Sequence, residues 1–176
     1  MMCVSRHRIN FVTPAATATS AQIAHSTIEQ RSRISSAEYV REFDITVTAS
    51  LDKLPLRIYQ HNSKHPPKQV FQCALQGFHD DTCVTCLLWV ADERKMWGAT
   101  RSGKVFTFEI FKENSGAYGT RPAKMIHQHG TVVTKLFTIP NGGSTISTSL
   151  DGTVRIYDKT GAGRDNTLRA HKLGVT

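Results

Sequence analysis

The sequence predicts an all-β chain assembled from repeated four-stranded antiparallel units, and three observations carry the prediction. A block of side chains recurs at a fixed interval, and each copy reads as short strands divided by turn residues. No stretch sustains the 3.6-residue apolar period of a helix.

The clearest block is Ser149-Leu150-Asp151-Gly152-Thr153-Val154-Arg155-Ile156-Tyr157-Asp158. An earlier copy, Ser50-Leu51-Asp52-Lys53-Leu54-Pro55-Leu56-Arg57-Ile58-Tyr59-Gln60, carries one inserted residue, and Arg101-Ser102-Gly103-Lys104-Val105-Phe106-Thr107-Phe108-Glu109 lies between them. The closing aromatics Tyr59, Phe108 and Tyr157 stand 49 residues apart. Val84-Thr85 and Val133-Thr134 keep the same spacing of 49, each four or five residues after a histidine, His79 or His129. At His171-Lys172-Leu173-Gly174-Val175-Thr176 the phrase begins once more.

Within each unit the turn chemistry sets strand boundaries. In the last unit, Val132 to Ile139 alternates and stops at Pro140-Asn141-Gly142-Gly143; Ser144 to Ser149, an Asp151-Gly152 hairpin turn and Val154 to Tyr157 follow. The polar, Gly-rich stretch from Lys159 to Asn166 reads as a loop before a short strand from Thr167 to Ala170. The middle unit repeats the plan: Cys83 to Val90, a turn at Ala91-Asp92-Glu93-Arg94, Met96 to Thr100, a Ser102-Gly103 turn, Val105 to Phe111, a long loop, then Ala123 to His127.

Four-stranded units of this length are the blades of a β-propeller, because one such sheet cannot bury both faces and must stack on its neighbours. A plain sandwich has no reason to repeat side chains at this interval. The expected organisation is an N-terminal extension over 1–24, disordered or adding an outer strand through Val4 to Thr13, then blades over 25–78, 79–128 and 129–170. Residues 171–176 would start a further, truncated blade, so the ring is expected to be incomplete and to need further blades or self-association.

His129, Ser147, Asp151-Gly152 and Tyr157-Asp158 resemble a WD-repeat: a histidine before the first strand, a hydroxyl on the second, Asp-Gly in the hairpin, and an aromatic-Asp pair closing the third. The resemblance implies a buried hydrogen-bond chain through Tyr157, Ser147, His129 and Asp151. It also implies a protein-interaction scaffold without catalytic, cofactor or metal residues. Departures are visible. The closing Trp is replaced by Tyr59, Phe108 and Tyr157, and Ser102 stands where Asp is expected, so the middle blade should rely on packing of Trp97, Phe106 and Phe108. The first blade keeps Asp52, Thr48 and Tyr59, with His25 as its distant opener.

At 176 residues and 39% hydrophobic content the composition is that of an ordinary globular chain. No apolar run approaches the length of a membrane span. Cys3, Cys73, Cys83 and Cys86, with no Asn-x-Ser/Thr acceptor, suit an intracellular protein with free thiols, cytoplasmic by default. The acid-poor opening, with Arg6, Arg8, Arg31 and Arg33, fits a targeting presequence or the ragged start of a fragment; Pro14 interrupts the amphipathic helix that targeting needs. Of the net charge of +8, residues 1–36 supply +3 (four Arg, one Glu), so the remainder is mildly basic.

Apparent chemistry reduces to structure on inspection. Cys83-Val84-Thr85-Cys86 lies on a strand, where residues three apart face opposite ways, and it lacks the second pair a zinc site usually has. His79, His129 and His171 each open a repeat, His61 and His65 sit in a Pro/Lys-rich loop, and His127 next to His129 lacks a third ligand. Gly161-Ala162-Gly163 has neither the strand before nor the helix after that a phosphate loop needs. The expected partner is another protein. The alternative is nucleic acid, held by the N-terminal arginines and by Lys64 and Lys68 around the Pro-rich loop.

Overall fold

The computed structural model describes residues 2–13, 24–62, 65–75, 78, 83–139, 143–158, 163–169 and 174–175. Its strands are antiparallel throughout. An N-terminal sheet joins β1 (Met2–Val4), β2 (Arg8–Thr13) and β3 (Ala24–Glu29) in chain order. A first four-stranded blade follows, with β4 (Ile34–Val40), β5 (Ile45–Ser50), β6 (Leu56–Asn62) and β7 (His65–Cys73). The second blade contains β8 (Val84–Val90), β9 (Lys95–Thr100), β10 (Lys104–Phe108) and β13 (Lys124–Gln128). Between its last two strands, β11 (Ile110–Lys112) and β12 (Tyr118–Thr120) form a separate hairpin. The third blade is β14 (Val133–Thr138), β15 (Thr145–Ser149), β16 (Thr153–Tyr157) and β17 (Gly163–Arg169).

Alternation along the strands divides the core between blades. On β9, Met96 joins Phe106 and Phe108 against Val40, Val47 and Ile58 of the first blade. Trp97 and Ala99 point the other way, with Val105, onto Val133, Leu136 and Tyr157 of the third. The second strand of each blade is therefore buried along nearly its whole length. Ile9, Ile28, Ile34 and Tyr59 close the N-terminal sheet onto the first blade.

The innermost strands β4, β8 and β14 are linked by a hydroxyl ladder. Ser35 Oγ donates to the Val84 carbonyl at 2.6 Å, Thr85 Oγ1 to that of Val133 at 2.9 Å, and Thr134 Oγ1 to that of Val175 at 2.8 Å. The Val-Thr phrase thus repeats because its hydroxyl ties one blade to the first residue of the next.

Several sequence expectations change. Among the described residues Val4 to Thr13 contributes to a sheet of its own, in which Val12 on β2 pairs with His25 on β3. The first four-stranded sheet accordingly opens at Ile34 instead of near His25. Val105 to Phe111 is broken at Glu109, because β10 pairs with β9 and β13 whereas β11 pairs with β12. That hairpin occupies the expected long loop and folds back on the first blade, where Ile110 and Tyr118 enter the core. Strand β17 begins at Gly163, inside the stretch read as loop, and its register with β16 shifts between Arg155 and Tyr157. His79, Lys64 and 170–173, with His171, lie outside the described residues.

Candidate functional site

In the third blade His129 stands just before β14, Ser147 on β15, Asp151 in the β15–β16 turn and Tyr157 at the end of β16. All four sequence-selected residues come together. The Tyr157 and Ser147 hydroxyl oxygens are 3.0 Å apart, and Ser147 Oγ lies 2.7 Å from His129 Nε2. The far side of the imidazole reaches Asp151 through Thr153: His129 Nδ1 is 2.9 Å from Thr153 Oγ1, which donates to Asp151 Oδ1 at 2.5 Å. Direct approach of Nδ1 to Asp151 Oδ2 is longer, 3.5 Å. Thr153 is thus a member that the sequence reading missed.

Asp151 organises its turn as an acceptor. It takes the backbone N–H of Thr153 at 2.9 Å and that of Gly130 at 2.7 Å. Burial alone would raise this carboxyl, but the donors from Thr153 and Gly130 outweigh it and hold it at about 2. His129 is displaced below its ordinary value, mainly because burial disfavours the imidazolium, with Asp151 opposing. A neutral ring with one donor and one acceptor nitrogen suits two hydroxyl neighbours.

The first blade builds a different column at the same place. Gln30, buried, takes the histidine position: its Nε2 donates to Thr48 Oγ1 at 2.5 Å. Arg57 replaces the bridging threonine, with Nη2 on Asp52 Oδ2 at 2.5 Å and Nη1 on Ser50 Oγ at 2.8 Å and Gln30 Oε1 at 3.2 Å. Asp52 also accepts from Ser50 at 2.8 Å and from Ser32. Burial again works against this carboxylate, while Ser32, Arg57 and Ser50 keep it below the usual range. Gln30 could have been found by counting: it precedes His129 by 99 residues, the interval that also separates Thr48 from Ser147 and Asp52 from Asp151.

The described residues of the second blade build a different arrangement at this place. Gly98 holds the hydroxyl position, and the ring of Phe106, its cross-strand partner, covers it. Phe78 and Phe108 pack on Phe106 at ring-centroid distances of 5.1 and 6.1 Å, and Trp97 meets Tyr157 at 5.5 Å. Aromatic packing here stands in for hydrogen bonding.

Both polar columns lie beneath one end of the blades, where the turns between second and third strands meet the segments joining successive blades. His129 N–H donates to Gly103 O at 2.9 Å, Gln30 N–H to His7 O at 2.9 Å, and Leu150 N–H to Val132 O at 2.9 Å. Gly103 must be glycine: its φ is +95°, and a Cβ there would stand 2.5 Å from the His129 carbonyl oxygen. On this rim Leu51, Leu54 and Leu150 are 41%, 44% and 44% exposed. Arg6, Arg31, Arg33, Lys53 and Arg101, in the turns and connecting segments between strands, are also exposed.

The remaining candidates among the described residues are placed as follows. Cys86 is half-buried on β8, and burial pushes its thiol up to about 11, far from a reactive thiolate. The rings of His127 and His129 meet edge to face at 5.8 Å. Among the described residues, no three or more His, Cys, Asp or Glu gather in a way that could hold a metal ion.

No protein-family model and no curated protein matches the sequence. Solved structures do match in shape. The structure titled "Crystal structure of RRP9 WD40 repeats" aligns with 85% of this chain and 42% of its own, at 16% identity and a TM-score of 0.62. "Structure of U3-55K" aligns with 85% of this chain and 43% of its own, at 17% identity and a TM-score of 0.61. The chain therefore spans less than half the length of each. Likeness at this identity establishes the fold, and the fold is that of a WD40-repeat β-propeller, here an arc of stacked four-stranded blades.

Proposed function

We propose that this chain is a non-enzymatic scaffold of an intracellular complex, and that the rim above the polar columns receives a protein partner. One observation carries the reading: Asp52 and Asp151 fix the turns that hold Leu51, Leu54 and Leu150 out to solvent, and the exposed cations Arg6, Arg31, Arg33, Lys53 and Arg101 lie in the turns and connecting segments between strands. Rigidly held, exposed apolar side chains together with exposed cations are the composition of a protein-binding surface. The ionisable groups beneath, His129 and Asp151, are consumed in holding the turn, which supports a structural and not a catalytic role.

The test compares proteins cross-linked to the wild-type chain with those cross-linked to a Leu51→Asp/Leu54→Asp/Leu150→Asp variant. Loss of specific partners with an unchanged melting temperature supports the rim, whereas retention of all of them removes it.

A second reading, nucleic acid, is favoured by the same five cations, because the neighbouring carboxylates Asp52 and Asp151 are engaged by protein donors. Lys68 is exposed on β7, the outer strand of the first blade. Binding to generic RNA that weakens steeply with salt would support this reading; absence of binding at physiological salt would end it.

A further inference from the structure

Arg57 and Arg155 hold equivalent places, each paired across the sheet with the hydroxyl residue of its blade, Thr48 or Ser147. Their surroundings differ. Arg57 is engaged by Asp52, Ser50 and Gln30. In the third blade Asp151 is occupied instead by the Thr153 hydroxyl and by the N–H groups of Thr153 and Gly130. Arg155, half-buried, forms no ion pair among the described residues, and its Nε, closed off from solvent, has no hydrogen-bond partner there. A guanidinium left in that state carries a desolvation cost that a bound anion would relieve.

A second unpartnered atom comes from the neighbouring blade. Arg155 and Tyr157 alternate with Ile156 on β16 and so share one face, and Tyr157 packs against Val105 of the second blade. His127 on β13 is the cross-strand partner of Val105. Its ring stands 6.4 Å from that of Tyr157 and 5.8 Å from that of His129. His127 Nε2 is also buried without a partner among the described residues. Burial holds this imidazole below its ordinary value and the Arg155 charge adds to the effect, while Asp151 and a backbone bond to Gln128 oppose it. With Nε2 unpartnered, that bond belongs to Nδ1, and a neutral ring donating there presents a lone pair at Nε2.

Arg155 and His127 together call for a group that accepts from the first and donates to the second. An ionised carboxylate, sulfate and the phosphodiester of nucleic acid only accept. A phosphate that keeps one proton does both. We propose that Arg155 and His127 form a phosphate-binding site between the second and third blades, in which the guanidinium donates to phosphate oxygens and the P–OH group donates to His127 Nε2. Free phosphate and a phosphate monoester share this chemistry. Binding there requires neither the rim leucines nor a protein partner.

The test titrates the purified full chain at pH ~6.5 and constant ionic strength with inorganic phosphate, methyl phosphate and sulfate, following the Arg155 Nε–H and the His127 ring by NMR. Saturable shifts at both residues are expected with phosphate, and sulfate should bind about tenfold more weakly. Methyl phosphate binding at least as tightly as inorganic phosphate assigns the site to a monoester; a preference for inorganic phosphate assigns it to the free anion. Arg155→Gln and His127→Phe should each weaken binding about tenfold, whereas Arg101→Gln, which removes an exposed cation, should leave it unchanged. Absence of a saturable shift in the unaltered chain would overturn the inference without recourse to any variant. So would equal affinity for sulfate, or an equal loss in Arg101→Gln.

Discussion

Phe106 lies directly over Gly98 on the neighbouring strand, so close that a Cβ on Gly98 would stand 2.4 Å from the ring's Cζ. In the blades on either side this position carries Thr48 or Ser147 opposite an arginine, Arg57 or Arg155. The second blade has exchanged a polar pair for an aromatic one, and the glycine is the condition of that exchange.

Gly98→Ala should therefore destabilise the protein by about 1–3 kcal/mol, since the Phe106 ring is fully buried between Phe78 and Phe108 and has nowhere to move. Adding Phe106→Leu should recover part of the loss. Denaturant melts of the two single variants and the double variant give the coupling; strict additivity would contradict the direct contact.

Removing the turn anchors separates the blades further. Asp151→Ala frees the Gly130 and Thr153 donors, and Asp52→Ala strands Arg57, whose side chain is only 11% exposed. Each should cost about 2 kcal/mol. Ser102→Ala, which loses a 3.2 Å contact with Thr100 Oγ1, should stay within about 0.5 kcal/mol. Thermal melts in one buffer check the order, and equal shifts for the three would refute it.

The strand plan and the third blade's polar column were legible because their signals are local and periodic: turn glycines, alternation, and a 49-residue recurrence. What escaped depends on pairing between distant segments. Gln30 carries no family signature and is visible only through its interval of 99 residues to His129. Arg57 reads as a surface charge until its cross-strand position beside Thr48 brings it to Asp52. His25 attracted the opener's role by residue type, yet its strand belongs to the preceding sheet. The β11–β12 hairpin, three residues on each side, is too short for periodicity to reveal.

Glu38, on β4 against the second blade, gives a pH signature of its own. Burial raises its carboxyl to about 7, partly offset by the Trp89 backbone N–H. Between its ordinary value and 7 the folded state binds the proton more tightly than the unfolded chain, so this group's contribution to stability falls as pH rises through that window. Glu38→Gln should raise the melting temperature at pH ~8 and leave it nearly unchanged at pH ~5. A change of equal size at both pH values would contradict the assignment.

His129 and Asp151 act in the opposite direction. Both are displaced below their ordinary values, so the unfolded chain takes up protons first and stability falls with pH. The histidine contribution should fade as pH drops below 6.5 and that of Asp151 between 3.8 and about 2. In melts across this range, His129→Gln should flatten the upper step and Asp151→Asn the lower. Persistence of both steps in a double variant would show that other groups carry them.

Amide hydrogen exchange tests the blade architecture most directly. Each blade buries its second strand, so the slowest exchange should fall in three separate segments, Ile45–Ser50, Lys95–Thr100 and Thr145–Ser149. The outer strands His65–Cys73 and Gly163–Arg169 should exchange much faster. Protection concentrated in one contiguous stretch, or greatest in those outer strands, would contradict the stacked-blade account.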